Sequence, residues 1–170
     1  MTRYVVAEAG EIPPGGRKIV ELEGRSIGVF HIDGDYVALL NRCPHQAGPL
    51  CTGKLWGALE ATTPGDYRTS RPGEIIACPW HGWEFDLRTG RSWCEPQRLR
   101  VRAYAVRIEP GSAVHDAEDA TAPQPGLVPG PYVAETYPAS REGRYVVVDL
   151  GRRPAATRSP VSPASGTAPA

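Results

Sequence analysis

The sequence predicts an all-β domain built from antiparallel strands. Gly supplies 19 and Pro 18 of the 170 residues, a content that is typical of turn-rich β domains and unfavourable for a helical bundle. Runs of β-branched and aromatic residues recur along the chain between turn signals. We find no convincing amphipathic helix, although residues 55–61 have room for a turn or two of helix.

The first strands are predicted between Tyr4 and Asn41. Segments 19–23, 27–32 and 36–40 are rich in β-branched and aromatic residues. The turn between the last two is Asp33-Gly34-Asp35, a strong hairpin signal. The sequence therefore predicts a meander of antiparallel strands in this region.

A second hairpin and a final strand are predicted further along the chain. Segments 74–78 and 83–86 have strand composition and are joined by a Pro- and Gly-containing turn at 79–82. Segment 145–150 predicts the last strand, and segment 132–137 leads into it.

Alternation of apolar and polar residues is also clear from 99 to 108, but its phase changes. Apolar side chains occupy odd positions from Leu99 to Ala103 and even positions from Tyr104 to Ile108. A change of phase within one strand predicts a β-bulge.

Two segments have the composition of irregular structure. Residues 109–131 carry five prolines and predict a long surface loop. Residues 151–170 lack aromatic residues and predict a disordered tail rich in Pro, Ala and Ser. The folded domain is therefore expected to span residues 1–150.

Charge and hydropathy exclude several classes of protein. Lys plus Arg and Asp plus Glu each number 19, with a pI of about 6.9, which argues against nucleic-acid binding through a basic surface. The longest apolar run, at 37–40, is far shorter than a membrane span. No secretory signal is visible, so we expect a soluble cytoplasmic protein. In that compartment, clustered Cys and His favour a metal site over disulfides.

Two short loops carry the chemical signal. The first contains Cys43-Pro44-His45 and the second contains Cys78-Pro79-Trp80-His81. A four-ligand zinc site is one interpretation, but a single residue between Cys43 and His45 suits its usual spacing poorly. In a second interpretation, two thiolates hold one iron and two imidazoles hold another, as in a [2Fe–2S] centre of mixed ligation.

The residues around both loops favour the second interpretation. The segments 42–50 and 78–90 resemble the paired signature of the Rieske family, in the version found in ferredoxins and ring-hydroxylating oxygenases. The resemblance extends over about residues 3–108 and the last strand. It implies an antiparallel β base with a small cluster-binding subdomain of two loops, at about 41–98.

The resemblance also implies a ligand set for one Rieske-type [2Fe–2S] cluster per chain. Cys43 and Cys78 would bind the inner iron, and His45 and His81 would bind the outer, more exposed iron. Pro44, Pro79 and Gly82, which are also ordinary turn residues, would shape the loops so that backbone N–H groups point at cluster sulfurs. Pro96 resembles the proline loop that covers the cluster, with an ordinary turn as the alternative.

Departures from the cytochrome-complex type of Rieske protein are equally informative. Gly48 and Trp80 stand where that type carries a disulfide, so the disulfide is excluded here. Trp83 replaces a serine whose hydroxyl donates to a cluster sulfur, and loss of such a donor lowers the reduction potential. We therefore expect a potential near the low end of the range of about −150 to +300 mV.

The remaining Cys and His residues receive structural assignments. Cys51 and Cys94 are expected to be small buried residues, with a disulfide between them as the alternative. His31 lies in a predicted strand and His115 in the predicted loop, and neither has a partner at ligand spacing.

The resemblance implies electron transfer without substrate chemistry. A Rieske oxygenase needs a second, mononuclear iron in its own domain, and this chain is too short to contain one. We therefore expect a one-electron carrier with no catalytic residues and no small-molecule site. Its partners would be an NAD(P)H-dependent flavoprotein reductase and a terminal oxygenase. A locally basic stretch is a candidate for steering them, or else a solvated strand face: Arg88, Arg91, Arg98, Arg100 and Arg102.

Two alternatives stay open. Long excursions at 52–73 and 109–131 favour an accessory subunit that is stably bound in a larger oxidoreductase complex. The other alternative is a structural zinc module.

Overall fold

The computed structural model describes residues 2–93, 95–118 and 143–151. Its elements, in chain order, are β1 (Arg3–Glu8), β2 (Arg17–Leu22), β3 (Arg25–Ile32), β4 (Asp35–Leu40), a 3-10 helix (Leu50–Thr52), β5 (Lys54–Ala61), β6 (Tyr67–Ala77), β7 (Glu84–Asp86), β8 (Ala103–Pro110), α1 (Gly111–Glu118) and β9 (Arg144–Asp149). The fold class predicted from the sequence is confirmed, since antiparallel strands dominate the described residues.

A six-stranded sheet forms the base, in the order β1-β9-β8-β4-β3-β2. The strands predicted at 19–23, 27–32, 36–40 and 145–150 all lie in it. Asp33 and Gly34, between β3 and β4, have positive φ values of 49° and 78°. These angles match the type I′ turn that the twist of a tight hairpin favours.

A smaller sheet, in the order β5-β6-β7, carries the second predicted hairpin. Ile75 pairs with Asp86 and Ala77 with Glu84, which confirms that hairpin. The helical turn predicted at 55–61 is wrong, because β5 pairs with β6 along its length. Leu, Ala and Glu favour helix locally, but pairing with a neighbouring strand overrides that weak preference.

The β-bulge predicted within 99–108 is also wrong. Strand β8 begins at Ala103, and its register with β9 is unbroken from Ala105 to Pro110. The phase change therefore marks the start of the strand. The register shifts that do occur lie between Val5 and Ala7 and between Trp56 and Ala58.

The loop predicted at 109–131 is wrong over its first ten residues. Strand β8 continues to Pro110, and α1 follows with Val114 buried. Residues 119–131, the lead-in segment 132–137 and the tail from 152 to 170 lie outside the described residues. In the part of the chain that the structure describes, no helix is both long and apolar enough to cross a membrane.

The hydrophobic core has two parts. One lies within the base, and the other contains side chains from both sheets. The second is the one that positions the site, because it includes both predicted cysteine ligands. Its largest members are Phe30, Leu39, Leu50, Ile76, Phe85 and Leu87, together with Cys43 and Cys78.

Candidate metal centre

The two loops that carry the predicted ligands are closed by the same pair of backbone hydrogen bonds. In the first, Cys43 N–H donates to the Gly48 carbonyl at 2.9 Å, and Ala47 N–H donates to the Cys43 carbonyl at 2.8 Å. In the second, Cys78 N–H donates to the Trp83 carbonyl at 2.8 Å, and Gly82 N–H donates to the Cys78 carbonyl at 2.9 Å. Each loop is thus a six-residue turn that begins at its cysteine.

Both turns also share one unusual backbone conformation. The fifth residue is left-handed in each, with φ of 62° at Ala47 and 70° at Gly82. Glycine adopts this region freely, whereas alanine has to overcome a clash between Cβ and the following carbonyl. The sequence signals only the second of these positions, through its glycine.

The two cysteines lie at the bottom of the loops. Cys43 and Cys78 are 2% and 3% exposed and belong to the core shared by the two sheets. The pKa of the Cys43 thiol is raised, chiefly because burial desolvates the thiolate and also because the Cys78 thiol is in hydrogen-bond contact with it. Backbone N–H groups of His45 and Gln46 oppose this by donating to the Cys43 sulfur.

The two histidines lie at the exposed end of the same loops. The ring centroids of His45 and His81 are 5.0 Å apart, with the ring planes at 83°. His45 also packs against the indole of Trp83 at 4.8 Å, and His81 meets the edge of Trp80 at 6.3 Å. The structure therefore brings all four predicted ligands together as a buried thiol pair and an exposed imidazole pair.

This arrangement fits a two-iron cluster of mixed ligation. Such a cluster needs two thiolates at one iron and two imidazoles at the other, and each loop supplies one group of each kind. In the described part of the chain, no three His, Cys, Asp or Glu side chains already surround a single ion position. The buried Cys43 sulfur also receives backbone N–H donors, which stabilise negative charge on a thiolate.

Other residues considered from the sequence have structural surroundings. His31 stacks on Tyr36 at 4.4 Å, and its Nδ1 lies 2.7 Å from the Ile12 carbonyl oxygen. Cys51 is a fully buried free thiol, as expected. Pro96 lies exposed in a turn. Cys94 and the side chain of His115 lie outside the described residues.

The arginines considered for steering do not form one free basic surface. Arg88 donates to the carboxylates of Glu74 at 3.0 Å and Asp35 at 2.9 Å. Arg102 donates to the Leu150 carbonyl at 3.1 Å and lies over the ring of Tyr104. Both side chains are therefore engaged in holding the fold.

The contacts of the two tryptophans in the second loop could not be found from the sequence. Trp80 and Trp83 are visible there only as aromatic residues beside a ligand motif. The structure shows that Trp83 packs on His45 and that Trp80 lies against Gly48, so that both reach across to the first loop.

Comparison with known proteins finds ferredoxin components of dioxygenase systems among the relatives of this chain. The ferredoxin component of a naphthalene 1,2-dioxygenase system from Pseudomonas aeruginosa is 31% identical over 99 residues, which cover 58% of this chain and 80% of that protein. The 3-phenylpropionate/cinnamic acid dioxygenase ferredoxin subunit of Photorhabdus laumondii is 29% identical over 112 residues, 66% of this chain and 91% of that one.

A solved structure, the ferredoxin of carbazole 1,9a-dioxygenase from Nocardioides aromaticivorans IC177, aligns with a TM-score of 0.49 and 28% identity, over 64% of this chain and 91% of that one. The family model for the Rieske [2Fe-2S] domain matches residues 2–105. That range contains both loops, the small sheet and most of the strands of the base. The chain therefore belongs to the Rieske [2Fe-2S] domain family and binds a cluster of that type.

Proposed function

We propose that this protein is a soluble, cytoplasmic one-electron carrier. It takes an electron from an NAD(P)H-dependent flavoprotein reductase and passes it to a terminal oxygenase. Relatives at 31% and 29% identity are ferredoxin components of dioxygenase systems. The observation that carries the proposal is the contrast in burial at the candidate site: the thiols are buried, while the imidazoles of His45 and His81 are exposed.

Cys43 and Cys78 are the proposed ligands of the inner iron, and His45 and His81 those of the outer iron. When bound, the cluster supplies a group that takes up and releases one electron. The buried thiol pair anchors it in a water-excluding core. The exposed imidazole pair brings its other end to the surface, where a partner can approach closely.

The ligand assignment is tested by replacing His45 or His81 with Ala in separate variants. We expect each variant to lose the electron paramagnetic resonance signal of the reduced cluster, with its low average g value, while circular dichroism still shows a folded β base. His31→Gln is the matched control, because His31 lies outside the site, and it should keep the signal. A signal that survives both Ala substitutions would overturn the assignment.

Metal and sulfide analysis tests the group itself. Two irons and two acid-labile sulfides per chain are expected in anaerobically prepared protein. One zinc and no sulfide in the same preparation would make this a structural zinc module and remove the electron-transfer proposal.

Electron transfer is tested by stopped-flow mixing with purified components of a ring-hydroxylating dioxygenase system. We expect the reductase and NADH to bleach the cluster absorbance, and the oxygenase to restore it on a second mixing. Reduction by dithionite combined with no exchange with either component would contradict the carrier role.

A second candidate function, an accessory subunit in a stable oxidoreductase complex, is favoured by the hairpin of β5 and β6. Leu59 pairs with Thr69 and Ala61 with Tyr67, so these four side chains share one face of the hairpin. Leu59 and Tyr67 are 71% and 67% exposed. An apolar face of this kind suits permanent contact with an oxygenase subunit.

Gel filtration with the oxygenase component separates the two roles. A stable complex that is lost in Leu59→Thr/Tyr67→Thr, but retained in Arg68→Thr on the opposite face, would establish the accessory subunit. Independent elution with rapid electron exchange would establish the mobile carrier.

A further inference from the structure

The two ligand loops must keep a fixed separation if the two imidazoles are to bind one iron. Each loop is closed on itself by its own hydrogen bonds. Within the described residues, no backbone hydrogen bond joins residues 43–48 to residues 78–83. Apart from the ligand bonds to a bound cluster, direct links between the loops therefore come from side-chain contacts.

One such link is the contact of Trp80 with Gly48. A Cβ built on Gly48 would lie 2.9 Å from Cδ2 and 3.0 Å from Cγ of the Trp80 indole. The shorter of these distances is one that real Cβ atoms essentially never show, so the indole occupies the space that a side chain at 48 would need. Gly48 is buried, while Trp80 remains 56% exposed, with its exposed part facing solvent.

The place of Trp80 in its loop gives the contact a consequence for the site. Trp80 immediately precedes His81, and Gly48 ends the turn that carries His45. A rigid indole seated on Gly48 therefore fixes the residue next to His81 against the turn that carries His45. Outer-shell neighbours that orient a metal ligand commonly contribute about 10–100-fold to metal affinity or activity.

We propose that Trp80 is a positioning residue that clamps the two loops together through Gly48 and so fixes His81 relative to His45. This proposal rests on the ligand set proposed above. Gly48 is the matching half of the clamp, because its missing side chain admits the indole. Trp80 is thus more than an exposed aromatic residue available to a partner.

The test compares three single variants of the loaded full-length protein: Trp80→Ala, Trp80→Phe and Gly48→Ala. The measurement is the rate at which the visible absorbance of the cluster disappears in the presence of an iron chelator. We expect loss to be about 10–100-fold faster in Trp80→Ala and Gly48→Ala. Trp80→Phe keeps a flat ring and should stay within about threefold of the natural protein.

The spectrum of the reduced cluster distinguishes positioning from general weakening of the fold. We expect Trp80→Ala to broaden and shift the g values, because the imidazole orientation becomes heterogeneous, and Trp80→Phe to restore them. Trp93→Ala is the matched control, since Trp93 is also about half exposed but packs on Arg71. It should change neither the spectrum nor the rate of loss.

The double variant Gly48→Ala/Trp80→Ala gives the sharpest outcome. If Gly48→Ala acts by displacing the indole, adding it to Trp80→Ala should change the rate by no more than about threefold. Full multiplication of the two single effects would overturn the clamp and assign the Gly48 effect to Cys78, whose Sγ lies 3.3 Å from the same built Cβ.

Failure of this proposal is distinguishable from failure of the proposed function. No partner protein enters the chelator experiment. A natural protein that loads a cluster, with Trp80→Ala retaining it equally well, would remove the clamp alone. Should Trp80→Ala fail to fold, Gly48→Ala and Trp80→Phe still decide the outcome.

Discussion

Ala47 and Gly82 occupy the same position in two turns of the same design, but alanine and glycine differ in their intrinsic preference for the left-handed conformation found there. Both have a left-handed backbone. A Cβ on Gly82 would meet nothing within 4 Å, so an alanine there would be strained only through its backbone. The two loops therefore offer a matched pair of positions for measuring the cost of this conformation.

We expect Ala47→Gly to stabilise the loaded protein and Gly82→Ala to destabilise it. Relief of left-handed strain gives about 1–2 kcal/mol, and the greater freedom of glycine in the unfolded chain offsets about 0.4–1 kcal/mol of this. The net change is about 0.5–1 kcal/mol in each direction, or a few degrees in the thermal midpoint. Shifts of the same sign in both variants would contradict this account.

Cys51 makes the stability of the protein sensitive to alkaline pH. Burial raises the pKa of its thiol from 9.0 to about 12. Below pH 9 the thiol is neutral in both states, so it favours neither. Above pH 9 the unfolded chain loses the proton while the folded chain keeps it, and stability falls until pH 12 is reached.

Between pH 8 and pH 10 this thiol should lower the free energy of unfolding by about 1 kcal/mol. The measurement is the thermal midpoint at both pH values for the natural protein and for Cys51→Ala, which shares every other titrating group. A smaller pH-dependent loss is expected in Cys51→Ala. Equal losses in the two proteins would show that the thiol ionises as easily in the fold as outside it.

The candidate ligands could be predicted from the sequence because metal chemistry restricts both residue type and spacing. The pattern of Cys and His singled out four residues that the fold brings together, and the residues around them gave the resemblance that implies the ligand set. The contact of Trp80 with Gly48 could not be predicted, because it depends on the distance between two loops that are about 30 residues apart in the chain. Ala47 was equally hidden, since alanine gives no sign of a left-handed backbone.

At the level of elements, an ionic network connects the small sheet to the base. Arg71, in β6, donates to Asp86 at the end of β7 and to Glu74 at 2.6 Å. Glu74 also accepts from Arg88, which reaches Asp35 at the start of β4 in the base. Asp86 is buried and additionally accepts from the backbone N–H of Thr89 at 2.7 Å.

Asp86→Asn should destabilise the protein by about 2–3 kcal/mol. Removal of one partner from a buried ion pair costs about 3–5 kcal/mol, and we reduce this because the Arg71 side chain is a quarter exposed. Asp66→Asn is the control, since its partner Arg68 is 77% exposed and the loss should be under about 0.5 kcal/mol. Thermal midpoints measure both; comparable shifts would refute a special role for the network.

Strands were predictable where the local sequence and the tertiary pairing agree. Segments 27–32 and 36–40 combine β-branched residues with a two-residue turn, so that each short stretch already specifies a hairpin. Strand β5 has the local composition of a helix and becomes a strand through its long-range partner β6. The helix α1 was missed because the abundant prolines that follow it dominate the composition of segment 109–131.

At the scale of the molecule, the strand order of the base sheet makes β9, at the end of the folded domain, necessary for holding the sheet together. Strand β9 lies between β1 and β8 and pairs with both. Beyond it, Leu150 N–H donates to the Thr2 carbonyl at 3.2 Å. The last described strand is therefore a central one, and β1 reaches the rest of the sheet through it.

Because of this placement, we expect opposite outcomes for two truncated chains that differ in length by eight residues. We propose that the domain ends near residue 150, so a chain ending at residue 151 should keep its cluster, its spectrum and its thermal midpoint to within about 2 °C. A chain ending at residue 143 loses β9 and, with it, the buried side chains of Val146 and Val148. Strands β1 and β8 are then left without the neighbour that joins them. It should fail to fold, because a central strand supplies hydrogen bonds on both edges. Destabilisation of the longer chain would show that residues 152–170 pack on the domain, and the tail predicted from composition would then be wrong.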